Sequence, residues 1–377
     1  MRFPTCLFFH TIISLIHPPL LTLTLQLYPE NRATKHFDFE YYKSLSKDEQ
    51  AHLQRIVKSG VGNPDSSMGC YAMAPDDYDK YIPFFGKVIA DYHNVPEGTK
   101  HINDWTLDGV EGLPADGVLD ISKLGLPELS MRVRVGRNLT DFPLPGNMTK
   151  DDRINMEKKM AAAFDVLKAM PEFGGKYHSL TPGHPDFITE AEYNDLVGQH
   201  IMFKDMSADS YLLHAGIAAD WPHGRGCYVS EDKGFIIWVG EEDHLRIMCM
   251  KKGVILNDIF TRLKSSLDIV SGIEGINFAH SETFGYVTSC PTNLGTGMRA
   301  SLHIALPKLC GDGTDTKAKA IAKPLGLSVR GTGGEHTPIV NGVVDISPSA
   351  RFHIKESEII TALYKGIKLL KEADNKA

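Results

Sequence analysis

The alternation of apolar and polar positions divides this chain into a helical first part and a longer part in which strands and helices follow one another. Leu53, Ile56 and Val57 share one face of a helix, since residues three and four apart lie above one another. Ser46-Lys47-Asp48-Glu49 opens that helix as a capping box. Small and turn-forming residues from Ser59 to Gly69 then end it in a loop. Such a loop either wraps a small ligand or crosses the surface as a connection. A second helix is predicted over residues 75–92. Residues 94–127 are rich in Gly, Pro and Asp, read as turns, and mark a domain boundary.

Beyond Leu129 the periods alternate. Arg132 and Arg134, two apart on a strand, point to one face. Met156, Met160, Phe164 and Leu167 form the inner stripe of a helix over 151–170. Thr189-Glu190-Ala191-Glu192 is a second capping box, whose helix runs to Gln199-His200. Phe235 to Val239 is a fully buried strand, and helices are predicted over 257–270 and 357–370. Phe284, Tyr286 and Val287 read as a buried strand leading into the loop Cys290-Pro291-Thr292-Asn293-Leu294-Gly295. By pattern alone, strand, turn and strand with an incidental cysteine is an equal reading of that segment. The local pattern as a whole is α+β.

Composition narrows the class. With 42% hydrophobic and 23% charged residues, the 377-residue chain is globular and long enough for two domains. A net charge of −7 argues against a nucleic-acid partner, which calls for a basic stripe. It also means that a nucleoside triphosphate needs a local cationic cluster working against the overall field. No P-loop motif is present, so arginine forks, which bind phosphate oxygens bidentately, are the other means of holding one. The six cysteines form no CxxC pair and read as free thiols of a reducing compartment. Residues 7–27 contain no Asp, Glu, Lys or Arg and form an apolar leader. It reads as a secretory signal, a membrane anchor or a non-native extension, with Pro18-Pro19 against a spanning helix. Asn138 and Asn147 are glycosylation sequons, and a glycan on Asn138 would obstruct the arginine strand, which favours a cytoplasmic chain.

Four motifs carry a family resemblance. They are Leu129 to Arg137, Trp238-Val239-Gly240-Glu241-Glu242-Asp243-His244-Leu245-Arg246, Cys290 to His303, and Val329-Arg330-Gly331-Thr332-Gly333-Gly334-Glu335-His336. In this order and at these spacings the chain resembles the phosphagen (guanidino) kinases over roughly residues 40 to 370. The resemblance implies a small all-helical N-terminal domain, then a larger domain with an antiparallel β-sheet flanked by helices. The divisions are a leader at 1–35, a guanidino-substrate domain at 36–115 and a catalytic ATP-binding domain at 116–377. It further implies that Arg132, Arg134, Arg246, Arg299 and Arg330 hold ATP or ADP, with Ser130, His200, Ser301 and His303 bordering the nucleotide. Mg²⁺ is then held by phosphate oxygens and water, with no protein ligand assigned.

By the same resemblance Glu242 and Glu335 orient the guanidine, and Cys290 contacts it. The residues support this on their own terms: carboxylates match a planar guanidinium fork, and either could take the proton the nitrogen loses. Acid runs are also common as solvated faces. Near cations the Cys290 thiol is expected to ionise. Removing Arg299 is expected to cost turnover but leave folding intact. Ser66, Ser67, Met68, Gly69 and Tyr71 line the substrate loop. Its short form is similar to that of arginine kinases, but Ser67, Met68 and Gly333 depart from their pattern, which keeps taurocyamine open beside arginine. A protein-arginine kinase and an inactive binding protein are the other readings.

Overall fold

Alternation within the strands explains the architecture. A computed structural model describes residues 27–332 and 339–377. An antiparallel eight-stranded sheet is built from β1 (Leu129–Arg137), β2 (Gly175–Ser179), β3 (Gly226–Ser230), β4 (Phe235–Val239), β5 (Leu245–Gly253), β8 (Met298–Ala305), β9 (Leu327–Gly331) and β10 (Val343–Pro348), in the order β2-β3-β4-β5-β1-β8-β10-β9. β6 (His280–Ser281) and β7 (Gly285–Tyr286) form a separate small hairpin. Val133 lies opposite Cys249 of β5 and Ala300 of β8, and Val135 opposite Ile247, so these apolar side chains share one face. That face packs on the stripe Met156, Met160, Phe164 and Leu167 of α3 (Lys150–Lys168). Ile259 and Leu263 of α6 (Leu256–Ser271), with Ile360, Leu363 and Ile367 of α8 (Glu356–Lys376), complete the same core. Each such buried side chain contributes roughly 1.5–3 kcal/mol. Ala318 and Ala322 of α7 (Thr316–Ala322) join the same core, whereas α4 (Glu190–Gly198) and α5 (Ser210–His214) contribute no residue to it.

The first part is helical: short turns at Arg32–Lys35, Phe39–Ser44 and Asp77–Lys80, with α1 (Lys47–Gly62) and α2 (Ile82–His93). Both predicted capping boxes form, at Ser46/Glu49 and Thr189/Glu192. The helical core of Leu53, Ile56, Phe84, Phe85 and Val88 continues into Phe284, Val287, Cys290 and Leu294. The segment predicted as a buried sheet strand around Phe284 is therefore buried by the helical unit, and only Gly285–Tyr286 is extended. Backbone bonds fix the seam: Ala72 N donates to Ser289 O (2.8 Å), and Tyr78 Oη to Thr288 O (2.9 Å).

Hydrogen bonds at two of the expected boundaries bear on where they fall. Asn103 Nδ2 and Asp104 N both donate to Glu356 (2.7 and 2.8 Å), and Trp105 packs at 4.9 Å on Phe260. The turn-rich linker is thus stitched to the larger unit. At the other end, residues 31–35 are integral, although the leader was placed over 1–35. Asn31 Nδ2 donates to Gly60 O (3.0 Å) and Pro64 O (3.1 Å), and Ala33 N to Met68 O (3.1 Å). Asn31 is 1% exposed, so these bonds are made out of reach of water. Deleting residues 1–35 is therefore expected to lower the thermal midpoint by several degrees and to raise the KM for the guanidine. Thermal melts and kinetics of the deletion decide it: an unchanged midpoint and KM would return 31–35 to the leader. Of the apolar run at 7–27, only Leu27 falls within the described residues. Among the described residues no helix is long and apolar enough to cross a membrane.

Candidate active site

The sheet face opposite the core carries the arginines. Directly paired residues of an antiparallel sheet share a face. Arg134 pairs with Arg299, Arg132 with Ser301, and Asp345 with both His303 and Arg330. Arg246 pairs with Gly136 and Trp238, and Ser130 with Lys252. Every predicted nucleotide residue except His200 therefore stands on one face. His200 follows α4 in the left-handed region (φ 60°), and its charge acts on His303. Arg246 and Arg299 lie inside β5 and β8.

Arg132 and Arg134 have no carboxylate or hydrogen-bond partner among the described residues. Burial, then the neighbouring Arg299, lowers the Arg132 pKa to about 10. Burial and Arg246 push Arg134 well below its usual value. Half-buried guanidiniums with no bonded carboxylate favour an incoming polyanion. Arg299 differs, since it pairs with Asp345 and its Nε donates to Ser347 Oγ (3.2 Å). Asp345 was missed in the sequence. Its only signal there is a lone charge inside the apolar run of β10, and its role depends on the β8–β10 register. Its Oδ1 is buried without a hydrogen-bond partner, 3.6 Å from His303 Nε2.

The acidic turn between β4 and β5 meets this face at Arg246. Arg246 Nη1 lies 2.9 Å from Glu241 Oε1, and Nη2 3.7 Å from Glu242 Oε2. Burial, then Glu241 and Asp243, pushes the Glu242 carboxyl up to about 8. Cys290 is buried, and its sulfur accepts from Thr292 Oγ1 (3.1 Å). Burial, then Glu242, raises its thiol well above the usual value. The expectation of an ionised cysteine fails for a physical reason: the strongest charge acting on Cys290 is an acid, not an arginine. Burial, then Cys290 and Glu242, raises the pKa of Tyr71, so this tyrosine of the helical unit lies within electrostatic reach of both. A cation among these groups would favour ionised Glu242 and Cys290 alike.

The substrate loop is tightly built. Gly69 N donates to Ser66 Oγ (3.0 Å), and Arg32 Nη1 to Ser67 O (3.0 Å). Gly69 has φ +73°, and a Cβ there would lie 2.7 Å from Asn31 Oδ1, so glycine is required. Ser67 is exposed, but Met68 turns inward, with the Cys70 thiol 3.7 Å from its sulfur. Glu335, with Gly333, lies outside the described residues.

Residues 31–90 match the family described as ATP:guanido phosphotransferase, N-terminal domain, and residues 155–377 its C-terminal catalytic domain. An arginine kinase of Amphioctopus fangsiao is 37% identical over 338 residues, covering 89% of this chain and 92% of the relative. The arginine kinase of Limulus polyphemus is 35% identical, with 87% of each chain covered. Among solved structures, a duplicated taurocyamine kinase from Schistosoma mansoni with bound transition state analog components superposes with a TM-score of 0.79 at 30% identity. The match covers 95% of this chain but 48% of that one, so the chain spans about half the duplicated protein. A lombricine kinase superposes with a TM-score of 0.78 at 28% identity, covering 92% and 93%. Both family models and relatives above 30% identity over most of the chain agree, and the chain belongs to the ATP:guanido phosphotransferase (phosphagen kinase) family.

Proposed function

We propose that this kinase moves the γ-phosphoryl group of MgATP reversibly onto a guanidine nitrogen of free arginine. The observation that carries the reading is Arg246, which belongs to the arginine face and also lies 3.7 Å from Glu242. A phosphate held on that face and a guanidinium held by Glu242 and Cys290 would be neighbours. The residues then act by positioning and charge stabilisation, the usual mode for phosphoryl transfer. Arg132 and Arg134 bind phosphate oxygens, and Arg299 takes the charge that gathers on the transferring group. Ser130, Ser301, His303 and His200 border the nucleoside, Arg330 completes the cage, and Mg²⁺ enters with the nucleotide. Glu242 and Glu335 fix the guanidinium. The nitrogen lone pair forms the N–P bond, the P–O bond to the β-phosphate breaks with its electrons on ADP, and a carboxylate accepts the nitrogen's proton. Residues to 115 would contribute the loop at the guanidine's tail, and those from 116 the nucleotide face and the groups that hold the guanidinium.

Arginine is favoured by the curated relatives named above and by the short loop. Taurocyamine is the second reading, favoured by Ser67 and Met68 in that loop. A coupled assay of ADP formation with arginine, taurocyamine, creatine, glycocyamine and lombricine tests both, and no turnover with any of them would sink the proposal. The loop should set the preference. Ser67→Gly with Met68→Val is expected to shift the kcat/KM ratio of arginine to taurocyamine by ~10–200-fold. Because Met68 is 6% exposed, the same change should cost about 1 kcal/mol of stability. Equal scaling of both substrates would take tail selection away from this loop.

A further inference from the structure

We propose that Asn138 is a positioning residue for phosphoryl transfer: its side-chain amide fastens the Glu242 turn to the Cys290 segment, so that acid and thiol meet the guanidine as one unit. The inference rests on the proposed roles of Glu242 and Cys290.

Asn138 is the first residue after β1 and is fully buried. Its Nδ2 donates to Asp243 Oδ1 (2.7 Å) and to Val287 O (3.1 Å). Its Oδ1 accepts from His244 N (2.8 Å). Asp243 Oδ1 accepts a second bond from Ser289 N (2.7 Å). One side chain therefore grips the turn at Asp243 and at His244, and the chain three residues before Cys290. Asp243 ties the same turn to the residue directly before Cys290. Only a primary amide supplies two donors and an acceptor from one planar group. Beside it, a Cβ on Gly136 would lie 2.6 Å from Asp243 Oδ2, so β1 is kept bare where the carboxylate rests.

Asp243 is 4% exposed, and a buried carboxylate is costly unless bonded. Burial raises its pKa, while Ser289 and Asn138 oppose that rise. The groups whose charges meet it are Glu242 and Arg246 from its own turn and β5, Arg137 of β1, and Tyr78 from the helical unit. None of them supplies the fixed, directed donor that the amide does. The sequon at Asn138 is also accounted for, because the nitrogen a glycan would need makes both of these bonds.

The test uses the full chain with Asn138→Asp and Asn138→Leu, nearly isosteric changes, assayed from pH 6 to pH 8.5 as ratios to the native enzyme. In Asn138→Asp at low pH, a proton shared by the two carboxyls can stand in for the amide donor. At high pH two carboxylates repel. The expected result is that the kcat/KM ratio for the guanidine falls about tenfold or more across that range. Asn138→Leu should lose about as much at every pH, with the KM for MgATP little changed. A flat ratio for Asn138→Asp would overturn the proposal, as would native guanidine kinetics in Asn138→Leu. If Asn138→Leu does not fold, Asn138→Asp decides alone, with circular dichroism at both ends of the range. Its unfolding at pH 6 as well as pH 8.5 would make Asn138 an element of the fold only and also overturn the proposal. Glu242→Gln and Cys290→Ser run in parallel. If they keep full activity, the reading of the site fails; if they lose it while the Asn138 variants do not, only this inference fails.

Discussion

Arg299→Ala is expected to lower kcat by roughly 10³-fold, about 4 kcal/mol of transition-state stabilisation, the scale on which an arginine acts on a transferring phosphoryl group. It is also expected to destabilise the protein, contrary to what the sequence alone predicts. Arg299 forms the ion pair that covers Asp345, whose side chain is 7% exposed, and losing it leaves a buried carboxylate without its hydrogen-bonded cation. Breaking a buried pair from one side costs about 3–5 kcal/mol. The two effects separate in a second variant. Arg299→Ala with Asp345→Ala should regain much of the stability, since no charge is stranded, and none of the turnover. Arg299→Lys should keep a cation beside Asp345 while losing the planar fork that two phosphate oxygens need. Denaturant midpoints and kcat at saturating substrates decide between these. Near-normal turnover in a folded Arg299→Ala protein would remove Arg299 from the site.

The difference between those two expectations shows which information is local. The capping boxes at Ser46 and Thr189 are readable because four consecutive residues contain the whole interaction. The shared face of Arg132 and Arg134 is readable because a strand has a period of two. Asp345 is a partner of Arg299 only through the register of β10 on β8, which no spacing in the chain encodes. Cys290 fails in the same way. Arg299 is close to it in sequence, but β8 carries that guanidinium onto the sheet face, and the turn after β4 brings Glu242 to the thiol instead. Phe284 and Val287 were correctly apolar, yet what buries them is a helical unit that begins some two hundred residues earlier. Residues 31–35 show no apolar period that would mark them as part of the helical unit, and only their bonds to Gly60, Pro64 and Met68 tie them to the substrate loop.

Glu242→Gln is expected to depress kcat for every accepted guanidine in similar proportion, by roughly 10²–10⁴-fold. The amide keeps the shape of the side chain but neither carries the charge that matches a guanidinium fork nor accepts its proton. The pH dependence supplies an independent check. The folded protein holds Glu242's proton up to about pH 8, whereas the unfolded chain releases it near 4.5. Across that window the native state binds more protons than the unfolded state, so this group's contribution to stability falls as pH rises. The slope is up to about 1.4 kcal/mol per pH unit. Below pH 4.5 both states are protonated and above pH 8 both are ionised, so the slope vanishes outside the window. The Gln variant lacks the slope and should gain stability relative to the native enzyme between pH 5 and pH 8. A guanidinium favours the ionised carboxylate, so binding near pH 7 should release close to one proton from the native enzyme. Its affinity should rise with pH until about 8 and then level. Titration calorimetry in buffers of different ionisation enthalpy reads that proton directly, and Glu242→Gln should release none. Equal proton release from both proteins would mean that another group titrates on binding. A change in the ratio of arginine to taurocyamine turnover in Glu242→Gln, with none in the Ser67/Met68 double variant, would show the division of labour between carboxylate and loop to be reversed.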